Sequence, residues 1–326
     1  MAGKDGGKQW YQQTIKIFAA SLLTFFVGIT VRGDWVLIFF NLWRYHHNGT
    51  ATSPNPTPGV SLASIYLKDL HFYLIPSVIV SYVTYFGMAG YFHRYFYINR
   101  KDKAHEWKCQ AEKFLTPENE RHALMVGSMN MTIGALYSGT AACVIMNGAP
   151  SKLYYSISDY GIIYAILSAI VVFLLIEGAG YYAHKMYHIP CLYRAIHKWH
   201  HRYQQPMVWV SGAMHPIEFL TYQTIFVSPV FFLPLHPFVF LSVILYHYYY
   251  GVVDHSGIKM AAIWPWQIHS MYHDNHHSVF LSRFYHCNFG FNIKFFDWLH
   301  GTMHRDDRLY SEAIFGGKGA PLVKEG

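Results

Sequence analysis

The sequence predicts an all-α integral membrane protein: a helical bundle of about six crossings with a cytosolic helical cap. Three observations predict it. The 326 residues are 52% hydrophobic, 18% aromatic and only 13% charged, a composition outside the range of average soluble domains. The apolar residues gather in runs of about twenty, the length a helix needs to cross the hydrocarbon core. The 25 basic residues, against 18 acidic ones, lie in the segments between those runs, as membrane orientation requires. A nucleic-acid partner is excluded because no basic stripe interleaves with polar surface. Four cysteines, Cys109, Cys143, Cys191 and Cys287, stand far apart with no C-x-x-C pair, so neither a disulfide framework nor a thiolate zinc site is expected.

The first span is expected near 14–31 (TIKIFAASLLTFFVGITV), as an anchor, because no small-residue cleavage site follows it. Further spans are expected near 70–92, 123–146 and 161–182, followed by an apolar hairpin at 217–251. Pro229, Pro234 and Pro237 mark the turn of that hairpin. Three regions follow: a membrane region over 1–160, a region bearing the chemistry over 161–305, and a tail over 306–326.

Segment 93–122 carries Arg94, Arg100, Lys101, Lys103, Lys108, Lys113 and Arg121, whereas the next inter-span segment, 147–160, carries only Lys152. The positive-inside rule then places 93–122 in the cytosol. Counting crossings puts 183–216, the region from 252 onward and both termini on the same side. The loop at 45–69, with the sequon Asn48-Gly49-Thr50, is expected on the lumenal side.

Of 22 histidines, 16 fall between His184 and His304. His184 and His188 are four apart, on one face of a helix continuing from the fourth span and ended by Pro190. HKWHH then offers His197, His200 and His201, which makes a first bank of five imidazoles. HSMYHDNHH supplies His269, His273, His276 and His277 at offsets of one helical stripe. A single buried histidine is usually a hydrogen-bonded core residue. Three such boxes in order exceed what one ion can use and imply two metal ions. Imidazole suits iron, zinc, copper and nickel alike, so the ligand type does not name the metal.

The order H-x3-H, H-x2-H-H, H-x2-H-H, with the first two boxes nearly adjacent, resembles the fatty acid hydroxylase/sterol desaturase superfamily. His215-Pro216-Ile217-Glu218 and His255-Ser256-Gly257 are similar to that family's H-P-x-E and H-S-G segments. Asn288-Phe289-Gly290 and Phe296-Asp297-Trp298-Leu299-His300-Gly301-Thr302 resemble its N-[YF]-G and closing segments. The likeness covers about residues 160–305 and implies an endoplasmic reticulum protein with a cytosolic di-iron centre. It implies O2-dependent hydroxylation or desaturation of a membrane lipid, with zinc able to replace iron on isolation.

By the same resemblance, His184, His188, His197, His200 and His201 are ligands from the first bank and His273, His276 and His277 from the second, with His255 a ninth. For His215, His247 and His269, ligation and a buried hydrogen-bonded role are both open, and His300 and His304 are expected at the surface. Glu177 shares a helix face with His184 and His188. It is expected either to accept the outward N–H of a ligating histidine or to pair with a tyrosine or Lys185, and Asp274 and Asn275 are similarly open. No substrate-binding residue is assigned, since aromatic belts at the membrane interfaces explain the excess of rings as well as a lipid channel does.

No H-P-G-G haem signature and no G-x-G-x-x-G loop is present, which implies a separate cytochrome b5 or NAD(P)H-dependent reductase as electron donor. A sterol substrate is expected from the HPIE and HSG segments, with C-4 methyl oxidation and ring desaturation both open. A fatty acyl or alkane-type hydroxylase is the second reading. A metal transporter and an inactive relative are the remaining ones, the transporter disfavoured because the boxes follow span ends instead of lying at mid-bilayer.

Overall fold

A computed structural model describes residues 62–262, 266–277 and 287–303. The expected span at 14–31, Asn48, His304 and the tail from 306 lie outside the described residues. Among the described residues the secondary structure is helical, with no strand beyond three isolated bridges.

Helix α1 (His71–Phe92) continues as a π-helical segment, His93–Ile98. It is followed by α2 (Pro117–Met146) and α3 (Gly161–Tyr187). These three, of 28, 30 and 27 residues with the π segment included, are long and apolar enough to cross a membrane. They exceed the apolar runs that predicted them because each helix continues into polar sequence. At α2 the start is fixed by Thr116, whose hydroxyl accepts from Asn119 N at 3.3 Å, with Pro117 at the first helical position. That is a strong N-terminal signal, and it places the polar turn ENERH inside the helix. Along α3, Ile162, Ile163, Ile166, Leu167, Ile170, Leu174 and Leu175 are exposed. Such a continuous apolar face is excluded from water only by lipid or a partner.

After α4 (Pro190–Ala195), the hairpin consists of α5 (Pro216–Val227) and α6 (Pro237–Asp254). Each helix begins His-Pro. The Nδ1 atoms of His215 and His236 accept from Ile217 N and Phe238 N, at 3.2 and 3.3 Å, with proline in the next position. The 12 residues of α5 rise only about 18 Å, short of the roughly 30 Å hydrocarbon core. The arms of the hairpin at 217–251, expected to be shorter spans, are short indeed: α5 alone does not reach across the core. The hairpin nevertheless reaches the end of the bundle opposite its base, because Lys152 N donates to Val230 O at 2.7 Å and Tyr154 N to Leu235 O at 3.1 Å.

The described segments alternate in direction between two ends. At one end, Asn147 Nδ2 near the end of α2 donates to Lys68 O just before α1, beside the 152–154 and 230–235 contacts. At the other, Tyr97 donates to Ser256 O at 2.6 Å and Gln110 Nε2 donates to Asp274 at 3.0 Å. The basic segment 93–122 and the histidine boxes therefore share an end. Two short elements complete that end: α7 (Ser270–His277) and α8 (Phe295–His300).

Candidate metal centre

All nine histidines assigned as ligands are buried, and they gather in two clusters. His184, His188, His197, His201 and His276 form one; His200, His255, His273 and His277 form the other. Within each cluster, one ring nitrogen from every member lies within 4.8 Å of those of the others. The grouping corrects the division by sequence: His200 belongs with the late box and His276 with the early ones.

The reason is local geometry. Residues His197–Arg202 form a 3-10 helix, not an α-helix. Adjacent residues of any helix project about 100–120° apart, which turns the neighbours His200 and His201 toward different clusters. On α7, His276 and His277 are likewise adjacent and diverge. The two clusters abut, the rings of His201 and His277 standing 4.8 Å apart, centre to centre.

Within each cluster the Nε2 atoms face one another. In the first, His197 and His188 approach to 3.0 Å, His276 and His201 to 3.1 Å, and His188 and His276 to 3.2 Å. In the second, His255 lies 3.0 Å from His200 and 2.9 Å from His273.

For five of the nine the opposite nitrogen is tied outward. Nδ1 donates from His184 to Phe289 O (2.9 Å), from His276 to Cys287 O (2.7 Å) and from His200 to Ala213 O (3.3 Å). His197 Nδ1 donates to Glu218 at 2.6 Å, and His255 Nδ1 to Asp254 at 2.5 Å and Gly251 O at 2.8 Å. A ring whose Nδ1 carries its proton presents a lone pair at Nε2. Several lone pairs about 3 Å apart without protons between them repel unless a cation lies among them.

Two further observations fit a cation. Burial, reinforced by the neighbouring imidazoles, pushes His197, His200, His201, His273 and His277 well below the usual histidine range, toward the neutral form that ligates metals. His277 is fully buried with neither ring nitrogen hydrogen-bonded, an arrangement that otherwise leaves a desolvation penalty unmet.

The remaining predicted residues stand outside the clusters. His215 caps α5, so its lone pair is already used. His269 lies just before α7, packed edge-on against Tyr272. His247 lies on α6, its Nδ1 donating to Val243 O at 2.8 Å and its Nε2 3.1 Å from Glu177. Glu177 takes neither expected role. It accepts from Asn292 N at 3.0 Å, Ile293 N at 3.2 Å and the Asn292 amide, anchoring the backbone just beyond Phe289, whose carbonyl receives His184.

Asn275 is buried. Asp274 accepts from Gln110 and is pushed up to about 6 by burial, against the pull of Lys108 and Gln110. Lys108, fully buried, has its ammonium 5.3 Å from the Phe114 ring centre. Burial lowers its pKa, opposed by Asp274 and Cys109. His300 is exposed, as expected.

Sequence reasoning noted Glu218 and Asp297 only as motif letters and did not single out Asp254. A carboxylate close in sequence to a box, Glu218 after His215-Pro216 or Asp254 before His255, is the signal that could have found them. Asp297 accepts from Phe289 N and Gly290 N at 3.0 and 2.7 Å and from the Thr302 hydroxyl, which fixes the turn bearing Phe289 O. The H-S-G motif has a backbone reason. Gly257 has φ +65°, and a Cβ there would stand 2.3 Å from Pro206 O, so no other residue fits the turn after His255.

Glu218→Gln keeps the shape of the side chain and removes the charge that orients His197. Metal retention is expected to fall about 10–100-fold, measured by chelator competition. An unchanged chelation midpoint would contradict the orienting role.

A cavity of about 210 Å³ runs from the centre into the bundle between α1, α2, α5 and α6. Its walls include Met88, Met131, Phe219 and Phe226, and at the metal end Asp254, His255 and Phe291.

Comparison with known proteins agrees with this geometry. The fatty acid hydroxylase family model matches residues 169–302, the stretch that contains both clusters. A Delta(7)-sterol 5(6)-desaturase of Aspergillus fumigatus is 28% identical over 192 residues, 52% of this chain and 54% of the relative. The lathosterol oxidase of Rattus norvegicus is 33% identical over 135 residues, 40% of this chain and 45% of the relative. The cholesterol 25-hydroxylase of Rattus norvegicus is 29% identical over 150 residues, 42% and 47%. The chain spans about half the length of the curated relatives it matches. No solved structure matches it. Residues 169–302, which hold all nine clustered histidines, are thus similar to the fatty acid hydroxylase family.

Proposed function

We propose that the chain is a membrane-bound non-haem di-iron oxygenase that uses O2 to desaturate or hydroxylate a sterol. One observation carries this reading: nine buried histidines form a five-membered and a four-membered cluster with ring nitrogens turned toward one another. Zinc catalysis of hydrolysis needs an open position on one ion, and structural zinc takes four ligands. The five-histidine cluster matches neither pattern, and its place beside the four-histidine one suits a redox pair.

Two iron ions bound there would supply the reduction of O2 coupled to removal of hydrogen from an unactivated C–H bond. The protein's own part is positional. Glu218, Asp254 and the carbonyls of Phe289, Cys287 and Ala213 hold the outward protons of five histidines, so that their Nε2 atoms stay available. The apolar cavity excludes water and brings a lipid carbon to the side of the centre marked by His255.

The matched relatives named for sterol 5(6)-desaturation and lathosterol oxidation favour ring desaturation over C-4 methyl oxidation. A lipid hydroxylase is the second reading, favoured by the family model and the cholesterol 25-hydroxylase match. A transporter is disfavoured because both clusters lie at helix ends, closed off by carbonyls and carboxylates.

The six-crossing topology, an endoplasmic reticulum location, cytosolic boxes and termini, and the division into 1–160, 161–305 and 306–326 are part of the same proposal. The shared end of the basic segment and the boxes supports it. Electrons come from a separate cytochrome b5 or an NAD(P)H-dependent reductase.

Metal analysis of the purified, detergent-solubilised protein is expected to find two irons per chain. Sterol profiling after deletion is expected to show accumulation of a ring-saturated precursor. Accumulated 4-methylsterols would move the reading to C-4 oxidation, and altered 2-hydroxy acyl chains with normal sterols would move it to the acyl hydroxylase.

A further inference from the structure

The aromatic rings that touch the clustered histidines lead to different places. Among the described residues, and histidines aside, they belong to Tyr187, Tyr193, Phe289 and Phe291. Tyr187 and Phe289 are buried, and Phe291 lines the cavity. Tyr193 leads outward. It is half-buried on α4, where Cys191, Arg194 and Ala195 are exposed. Its ring centre lies 5.6 Å from that of His188, 6.1 Å from His197 and 5.6 Å from His201. One side chain therefore joins the surface to three of the five histidines of the first cluster.

The charge beside that ring is of one sign. Residues 178–217 carry Lys185, Arg194, Lys198 and Arg202 and no acidic residue. Arg194 directly follows Tyr193, Lys198 directly follows His197, and both are exposed. Arg202 reaches Glu118 at 3.5 Å, whereas neither Arg194 nor Lys198 forms an ion pair among the described residues. The basic segment 93–122 is different. Asp102, Glu106, Glu112, Glu118 and Glu120 are interspersed with its lysines and arginines, and Arg100 pairs with Glu106 at 2.7 Å.

We infer that Tyr193, Arg194 and Lys198 form the docking face for an acidic one-electron carrier, and that electrons enter the centre through the Tyr193 ring. Unpaired cations on one face steer a partner of opposite charge and set its orientation. Electron tunnelling slows exponentially with the gap, so electrons enter where a docked carrier comes nearest to the ligand rings. Each encounter oxidises the carrier by one electron and reduces one ferric ion to ferrous. No bond breaks, and Tyr193 keeps its hydroxyl proton. The inference rests on the di-iron reading, and it adds the surface that the electron donor uses.

The test uses the full, iron-loaded chain in phosphatidylcholine nanodiscs, without O2. The reduced haem domain of an acidic cytochrome b5 is the probe, its oxidation followed by stopped-flow absorbance and its binding measured separately by titration. Steering of this kind raises association rates about 10–1,000-fold, so Arg194→Glu/Lys198→Glu is expected to lower the second-order rate about tenfold or more. Most of the salt dependence of that rate is expected to go with it, while iron content and the extent of reduction by dithionite stay those of the wild type. Lys101→Glu/Lys103→Glu is expected to have a much smaller effect. Tyr193→Leu is expected to slow the rate reached at saturating carrier without weakening binding, and Tyr193→Phe, which keeps the ring, to restore it.

An unchanged rate in Arg194→Glu/Lys198→Glu, or a larger loss in Lys101→Glu/Lys103→Glu, overturns the docking face. So does a defect confined to nanodiscs that contain phosphatidylserine, which assigns the two cations to lipid headgroups instead. A saturating rate in Tyr193→Leu equal to that of the wild type overturns entry through the ring. Each of these results, obtained with protein that carries two irons and oxidises lipid, leaves the oxygenase reading standing. A wild-type chain that carries no iron and does not bind the carrier overturns both.

Discussion

Replacing His200 and His201 together is expected to leave a folded protein with no bound iron, whereas replacing His200 and His277 together is expected to leave one ion per chain. The first pair are neighbours in sequence but belong to different clusters; the second pair are 77 positions apart and share one. His200→Ala alone is expected to empty the four-histidine site, and His276→Ala the five-histidine site. Each is expected to reduce product formation to about 1% or less, since even the loss of an orienting partner costs 10–100-fold. A single lost ligand and a double loss within one cluster should therefore give similar iron contents, the non-additivity expected of residues that act as a unit. Iron is measured per folded chain by mass spectrometry of metals alongside circular dichroism. If His200→Ala/His201→Ala retains one ion, the division into clusters is wrong. Full turnover in both single variants would remove the centre from the chemistry altogether.

That experiment separates what spacing can tell from what it cannot. The nine candidate ligands were named from the sequence, eight from the spaced boxes and His255 from the resemblance of its H-S-G segment, and the structure gathers all nine into two clusters. Their partition was not legible. It depends on how the short helices His197–Arg202 and α7 are turned against each other and against α3 and α6, which spacing within a box does not reveal.

Helices were legible where apolar runs were long, as for α1 and α3. They were less so where capping decided, as at Thr116-Pro117, where α2 starts six residues before the apolar run expected at 123. The hairpin at 217–251 was read correctly as two apolar arms about a proline turn. Its arms were expected to be shorter than full spans, but the capping role of His215 was not legible, because that residue looked like a candidate ligand. Glu177 illustrates the same limit. Its burial was predictable from its place on a span, but its partners, Asn292 and Ile293, come from a segment 115 positions later whose path no local pattern reveals.

Filling the cavity at Gly251 is expected to stop turnover without disturbing the metals. Glycine in a helix interior is about 1 kcal/mol less favourable than alanine, so α6 carries this residue at some expense to its own stability. The open space around its missing Cβ gives the reason. Gly251→Ala adds one methyl group to the wall and is expected to raise the melting temperature slightly while leaving most of the activity. Gly251→Leu projects a branched side chain into a 210 Å³ space, between His247 and the cluster residue His255. A substrate carbon displaced by even about 1 Å from its reactive position loses roughly 100-fold in rate, so product formation is expected to fall at least that far. The Gly251 carbonyl still receives His255 Nδ1 in both variants, because the substitution leaves the backbone bond in place. Iron content is therefore expected to remain that of the wild type. Retained turnover in Gly251→Leu would show that the lipid reaches the metals by another route. Loss of iron along with activity would show instead that the α6 backbone, and not the cavity, had been disturbed. The alanine variant separates these cases, since it tests the helix while barely touching the space.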